Sequence, residues 1–287
     1  MKIAFIGLGI MGSRMAANLL KHSVEVCVYN RSEAPVKRLQ EMGARAASSA
    51  GEAVQEADLV FSMLSTPEVV RAVFLSENGA LYAMKKQAIW VDCSTVNPSF
   101  SRAAHAAAEQ AGIRFMDIPV AGTKPHAEQG ELVFFAGAPE PLLNEVKPYL
   151  DMMGKKVLHI GETGQGSAFK MLVNIMLAQS MLIFSEAVLL GEKMGISRSF
   201  LLKVVPNLVV SAPFTAAKAE MIKKDDYEVQ FPLEWMQKDL HLAAISAYEL
   251  NQPLYLANLA KELFAEATKK GMGRMDFAAI HKFLEER

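Results

Sequence analysis

The chain has 287 residues, 51% of them apolar, enough for one large unit or two domains with a sizeable core. Thirty Lys and Arg stand against 31 Asp and Glu, which argues against a nucleic-acid or acidic-membrane binder. A charged ligand must be caught by a local site rather than by the field of the whole protein. Cys27 and Cys93 are the only cysteines, each in an apolar stretch, and read as buried free thiols rather than a disulfide framework. The histidines are scattered, so no metal is expected. The opening strand-like run is too short for the apolar region of a signal peptide. No apolar segment is expected to reach membrane-spanning length without polar breaks, and a soluble cytoplasmic protein is expected.

In chain order, KIAFIG, VEVCVYN, ADLVFSML, QAIWVDCS, IRFMDIPV, ELVFFAG and KKVLHIG read as strands. Segments of helical period separate most of them, SRMAANLLK and FSRAAHAAAEQAG among them. That alternation predicts βαβ units and a parallel sheet, with the closing strands partly antiparallel. From Gln165 to Met194 there is no Pro, and apolar residues recur at three- and four-residue spacing, which predicts one long helix. Further helices are predicted at 197–210, 212–223, 231–250, 253–269 and 275–285, with Pro206, Pro213, Pro232 and Pro253 at or near the breaks. The fold class is therefore α/β. A Rossmann-like doubly wound sheet over 1–162 is joined by the long helix to an all-α domain over 163–287.

GLGIMG (Gly7, Leu8, Gly9, Ile10, Met11, Gly12) fits G-x-G-x-x-G between a predicted strand and a predicted helix. In that context Gly7 permits the tight turn, Gly9 leaves room for a pyrophosphate and Gly12 lets the helix pack on the strand. The free N–H groups at the helix start complete a phosphate site. A dinucleotide cofactor is expected. After the second strand, NAD-preferring sites carry a carboxylate for the ribose 2′-OH. Here Asn30 is neutral, Arg31 offers a permanently charged fork for a 2′-phosphate, and Ser32 adds a hydroxyl, so NADP (NADPH) is expected. Leu64, Ser65 and Thr66, after the ADLVFS strand, are candidates for the adenine-side ribose or pyrophosphate, with Val69 and Phe74 as apolar walls.

The stretches GLGIMGSRMAANLL, DIPVAGTKPHAEQGEL, GQGSAFKMLVN and KDLHLA together resemble the β-hydroxyacid dehydrogenase family, over essentially the whole chain. NRS, the Lys-Pro of GTKPHAEQG and FPLEWMQKDLHLA make the glyoxylate and succinic semialdehyde reductase branch the nearest. The resemblance implies NADPH-dependent reduction of small carboxylate-bearing aldehydes, glyoxylate and succinic semialdehyde among them. A 3-hydroxyisobutyrate or tartronate semialdehyde type dehydrogenase is the alternative, and a catalytically silent dinucleotide-binding protein a more remote one. It also implies that the loop Ala121-Gly122-Thr123 grips the substrate carboxylate, although the family usually has Ser where this chain has Ala121. Backbone N–H groups at Gly122 and Thr123 could still bind an anion. Asp117 reads as structural.

Gly164, Gly166, Lys170 and Asn174 match the family's G-x-G-x-x-x-K-x-x-x-N. Lys170 and Asn174 are four apart and share one helix face. In the implied hydride transfer, negative charge grows on the carbonyl oxygen, and the Lys170 ammonium can stabilise it and give the proton. Asn174 orients the substrate or holds Lys170. By the resemblance Thr95 lies near the nicotinamide ribose, Lys238 reaches the nicotinamide, Asp239 stands at the edge of the site and Phe231 covers the substrate. The site is expected in the cleft between the two domains. The surplus of apolar helix surface predicts a homodimer or homotetramer packed through the helical domain.

Overall fold

Ile3–Ile6 (β1) is apolar and buried at every position, as a strand covered on both faces must be. Its alternate residues feed two cores. Ile3 and Phe5 pack with Met15 and Leu19, while Ala4 and Ile6 pack with Val60, Phe74 and Trp90. Trp90 stacks on Phe74 at 4.2 Å and meets Phe115 edge-on at 4.8 Å, both favoured ring geometries.

A computed structural model describes residues 1–286. They fall into two compact units, Met1–Lys170 and Met171 onward. In the first, the further strands are β2 (Val26–Tyr29), β3 (Arg45–Ala46), β4 (Leu59–Ser62), β5 (Ile89–Asp92), β6 (Arg114–Asp117), β7 (Val120–Ala121), β8 (Leu132–Gly137) and β9 (Gly154–Gly161). The helices are α1 (Gly12–Lys21), α2 (Glu33–Glu41), α3 (Ala50–Val54), α4 (Pro67–Val70), α5 (Pro98–Gln110), α6 (Lys124–Gln129) and α7 (Glu140–Leu150). The nine-stranded sheet runs β3-β2-β1-β4-β5-β6-β8-β7, with β9 beside β8. The first six strands pair in parallel, in the doubly wound order whose direction reverses between β1 and β4. β8 is antiparallel to β6 and β7 and parallel to β9. The two-residue strand β3 adds to the seven predicted from sequence, because a run so short carries no periodicity, and the predicted strand IRFMDIPV divides into β6 and the start of β7.

The long helix α8 (Gln165–Lys193) begins in the first unit and continues into the second. There α9 (Arg198–Val204), α10 (Thr215–Lys224), α11 (Leu233–Glu249), α12 (Tyr255–Ala267) and α13 (Ile280–Glu285) surround a core that includes Val188, Met236, Phe264, Phe277 and Phe283. A Cβ on Gly191 would stand 2.8 Å from Leu201, so that glycine lets α9 close on α8. By length and a mean hydropathy of 1.7 over its most apolar window α8 is apolar enough to cross a membrane, although it carries the polar breaks expected from sequence, Asn174, Gln179 and Glu186 among them. Only 39% of that window is buried.

Candidate active site

The glycine loop joins the end of β1 to α1, at the point where the strand order reverses and ligands lodge in such sheets. Gly7 has φ +96°, and a Cβ there would stand 2.4 Å from the Met63 carbonyl beyond β4. A Cβ on Gly12 would stand 2.0 Å from the Gly7 carbonyl and 3.1 Å from the Phe5 ring. A Cβ on Gly9 would meet nothing within 4 Å. Two of the glycines are thus demanded by the protein's own backbone, and the third opens a cradle for something else. No side chain caps α1 and no acid sits in its first turn, so its N-terminal end favours an anion, although the Ser13 and Arg14 N–H groups already donate to the Gly9 and Met11 carbonyls. These residues fit a dinucleotide pyrophosphate. Leu8 is buried, while Ile10 and Met11 are partly exposed.

The Asn30 Oδ1 accepts from the Leu8 N–H at 2.9 Å, and its Nδ2 donates to the Ser32 hydroxyl at 2.8 Å. Asn30 therefore braces the glycine loop, while Arg31 beside it is exposed. Beyond β4, the Leu64 N–H donates to the Ser94 hydroxyl at 2.9 Å, and the Ser94 N–H to Asp92 Oδ1 at 3.1 Å. The same Asp92 oxygen accepts from the Ser62 hydroxyl, which accepts from the Trp90 indole. A buried polar chain thus fixes the ends of β4 and β5 and the loops carrying Ser65 and Thr95. Thr66 caps α4 by accepting from the Val69 N–H at 3.3 Å. Val69 is exposed, but Phe74 is wholly buried on Trp90, which puts it in the core behind the loop rather than on a cofactor wall.

In the Ala121-Gly122-Thr123 loop, Gly122 has φ +120°, and a Cβ there would press on Leu132 and His126. The Thr123 N–H, which could bind an anion, donates to His126 Nδ1 at 3.2 Å, and Thr123 is the N-cap of α6. His126 was missed from sequence, although its place three residues after a threonine is capping-box spacing.

Asp117 ends β6, buried, and accepts from the N–H groups of Gly164 at 2.6 Å and Ser167 at 2.7 Å. It thereby caps α8 one turn ahead of Lys170. Burial pushes its carboxyl up to about 6, against the lowering effect of those hydrogen bonds. A Cβ on Gly166 would stand 2.4 Å from the Phe135 carbonyl, so the start of α8 lies directly on sheet backbone.

Lys170 is 8% exposed and Asn174 1%. They sit one turn apart on α8. Within the second unit, the Asn174 Nδ2 donates to Asp239 Oδ2 at 2.6 Å, and Lys238 Nζ lies 2.8 Å from Asp239 Oδ1. That last contact is an ion pair without the angle of a hydrogen bond. The Asn174 Oδ1 is buried and has no hydrogen-bond partner. Three of the residues expected around the reaction therefore form one chain, Asn174–Asp239–Lys238, ending in an open acceptor. Phe231 is partly exposed, just before α11.

The profile described as the NAD binding domain of 6-phosphogluconate dehydrogenase matches residues 2–161. The profile for the NAD-binding region of NADP-dependent 3-hydroxyisobutyrate dehydrogenase matches residues 164–284. Glyoxylate/succinic semialdehyde reductase 2, chloroplastic, of Arabidopsis thaliana is 36% identical over 99% of this chain and 79% of its own length. Glyoxylate/succinic semialdehyde reductase 1 of the same plant is 33% identical over 98% of this chain and 97% of its own. The solved structure of Mycobacterium tuberculosis 3-hydroxyisobutyrate dehydrogenase with L-serine superposes with a TM-score of 0.89 at 30% identity, covering 99% of this chain and 98% of that one.

Proposed function

Because the chain belongs to the β-hydroxyacid dehydrogenase family of NAD(P)-dependent oxidoreductases, we propose that it reduces small carboxylate-bearing aldehydes with NADPH, glyoxylate and succinic semialdehyde being the leading substrates. The observation that carries this reading is the buried Lys170 one helical turn before Asn174, whose amide oxygen is left open. Bound reduced nicotinamide supplies the hydride that goes to the carbonyl carbon. Lys170, as ammonium, donates a hydrogen bond to the carbonyl oxygen, strengthens it as charge accumulates there, and delivers the proton. The Asn174 oxygen accepts from the ammonium or from the nascent hydroxyl. Asp239 holds the Asn174 amide by its other end and pairs with Lys238, so the open oxygen has a fixed aim. Phe231 covers the substrate, and Ala121, Gly122 and Thr123 form the wall on the carboxylate side.

Preference for NADPH is supported by the end of β2. Arg31 is exposed there, no carboxylate replaces Asn30, and Asn30 is already committed to the Leu8 N–H and Ser32. The 3-hydroxyisobutyrate or tartronate semialdehyde reading shares this chemistry and is favoured by the M. tuberculosis likeness. One assay separates them: NADPH and NADH oxidation with glyoxylate, succinic semialdehyde, methylmalonate semialdehyde and tartronate semialdehyde side by side. Lys170→Ala should cut turnover roughly 10²–10⁴-fold with NADPH binding near normal, and turnover within about threefold of wild type would end the proposal.

We propose, too, that the chain works as a homo-oligomer. Leu172, Met176, Ile183 and Leu190 along α8, and Met194 just past its end, are 57–71% exposed at four- and seven-residue spacing. Such a stripe on so apolar a helix fits the matching helix of a second copy.

A further inference from the structure

Lys218 on α10 and Asp276 form the most deeply buried ion pair among the described residues, Nζ to Oδ1 2.8 Å, with side chains 4% and 0% exposed. No step of the proposed reaction uses either group. Removing two charges from water is costly, and an apolar pair of similar volume would often serve stability as well. The reason for these charges lies in what the carboxylate holds. Its Oδ2 accepts from the backbone N–H groups of Gln230 and Phe231, each at 3.1 Å. Its Oδ1 accepts from the Ala278 N–H at 3.0 Å in addition to Lys218. All four acceptor positions of an ionised carboxylate are filled. An apolar side chain there would strand the Gln230 and Phe231 N–H groups without partners.

Phe231 is gripped from two further directions. Its carbonyl accepts from the Phe277 N–H at 2.9 Å, and its ring meets the Phe277 ring edge-on at 5.8 Å. The Lys218 ammonium lies 4.8 Å from the centre of that same Phe277 ring and 3.4 Å from the Gln230 side-chain oxygen. The pair thus reaches Phe231 through its N–H directly and through its ring by way of Phe277.

We infer that Lys218 and Asp276 are positioning residues that hold Phe231 in place and so set how tightly the enzyme takes its aldehyde. The inference rests on the reading that Phe231 covers the substrate. The ammonium seats the carboxylate, and the carboxylate turns a surface segment into a fixed wall. A merely structural pair would alter stability and leave substrate affinity alone.

The test is a double-mutant cycle on the full chain with succinic semialdehyde and NADPH, using Lys218→Met, Lys218→Arg, Phe231→Ala and Lys218→Met/Phe231→Ala, with a melting temperature for each. Lys218→Met should raise KM for the aldehyde by about tenfold, with kcat within about threefold and KM for NADPH within about twofold. Lys218→Arg, which keeps the cation, should recover most of that loss. In the Phe231→Ala background Lys218→Met should add nothing, because the residue it positions is gone. An unchanged aldehyde KM in Lys218→Met, or additive effects in the double variant, overturns the inference while the cover reading stands. An unchanged KM in Phe231→Ala overturns both. If Lys218→Met does not fold, the charge-neutral Lys218→Met/Asp276→Asn variant, which keeps one acceptor oxygen, carries the same expectations.

Discussion

Asp117 offers a quantitative check on how the start of α8 is built. Its carboxyl is closed in by the sheet, since a Cβ on Gly137 would stand 2.4 Å from its Oδ1. Burial raises it from the ordinary 3.8 to about 6, although two backbone N–H groups favour the ionised form. A group raised on folding stabilises the native state fully below its unfolded value, and that contribution is lost as pH rises through the folded value. At about 1.4 kcal/mol per pH unit, the displacement from 3.8 to about 6 corresponds to about 3 kcal/mol. Wild type should therefore lose about 3 kcal/mol relative to Asp117→Asn between about pH 4 and pH 6, then run parallel to it above. Urea unfolding of both proteins across that range measures the gap. A Trp235→Phe background leaves Trp90, buried in the first unit, as the only indole reporter. A gap that stays constant, or that turns in favour of wild type as pH rises, refutes the account of a desolvated carboxylate capping this helix.

Two further predictions bear on the cofactor and the assembly. Arg31→Ala should raise KM for NADPH by about tenfold or more and leave KM for NADH nearly unchanged, and equal effects on both would remove the 2′-phosphate assignment. Met176→Glu/Ile183→Glu, on the exposed stripe of α8, should convert the oligomer to a 31.4 kDa species by light scattering, whereas a wild type already of that mass would dispose of the interface.

The parts of the fold that could be read in advance are those encoded by neighbours in the chain. The run from Ile3 to Lys21 carries an apolar strand, three glycines at fixed offsets and a helical period within one short stretch, and the backbone places each glycine against, or away from, the atoms that spacing implied. The long helix was legible for the same reason, as was the shared face of Lys170 and Asn174. What could not be read are the pairings made across large sequence separations. Asp117 meets residues 47 and 50 positions later, Asn174 meets Asp239 65 positions later, and Lys218 meets Asp276 58 positions later. Spacing carries no signal for such contacts, and each polar side chain taken alone looks like a strand end, a motif residue or a solvated charge. Sequence was least decisive where one residue had two plausible employers. Thr123 could cap a helix or offer its N–H to an anion, and His126 claims it for the cap. Phe74 could face a cofactor or the core, and Trp90 claims it for the core. Both outcomes follow from partners that sequence does not place side by side. The same logic explains why the Phe231 clasp was invisible: Lys218, Asp276 and Phe231 belong to no shared motif, and only the folded chain closes them around one carboxylate.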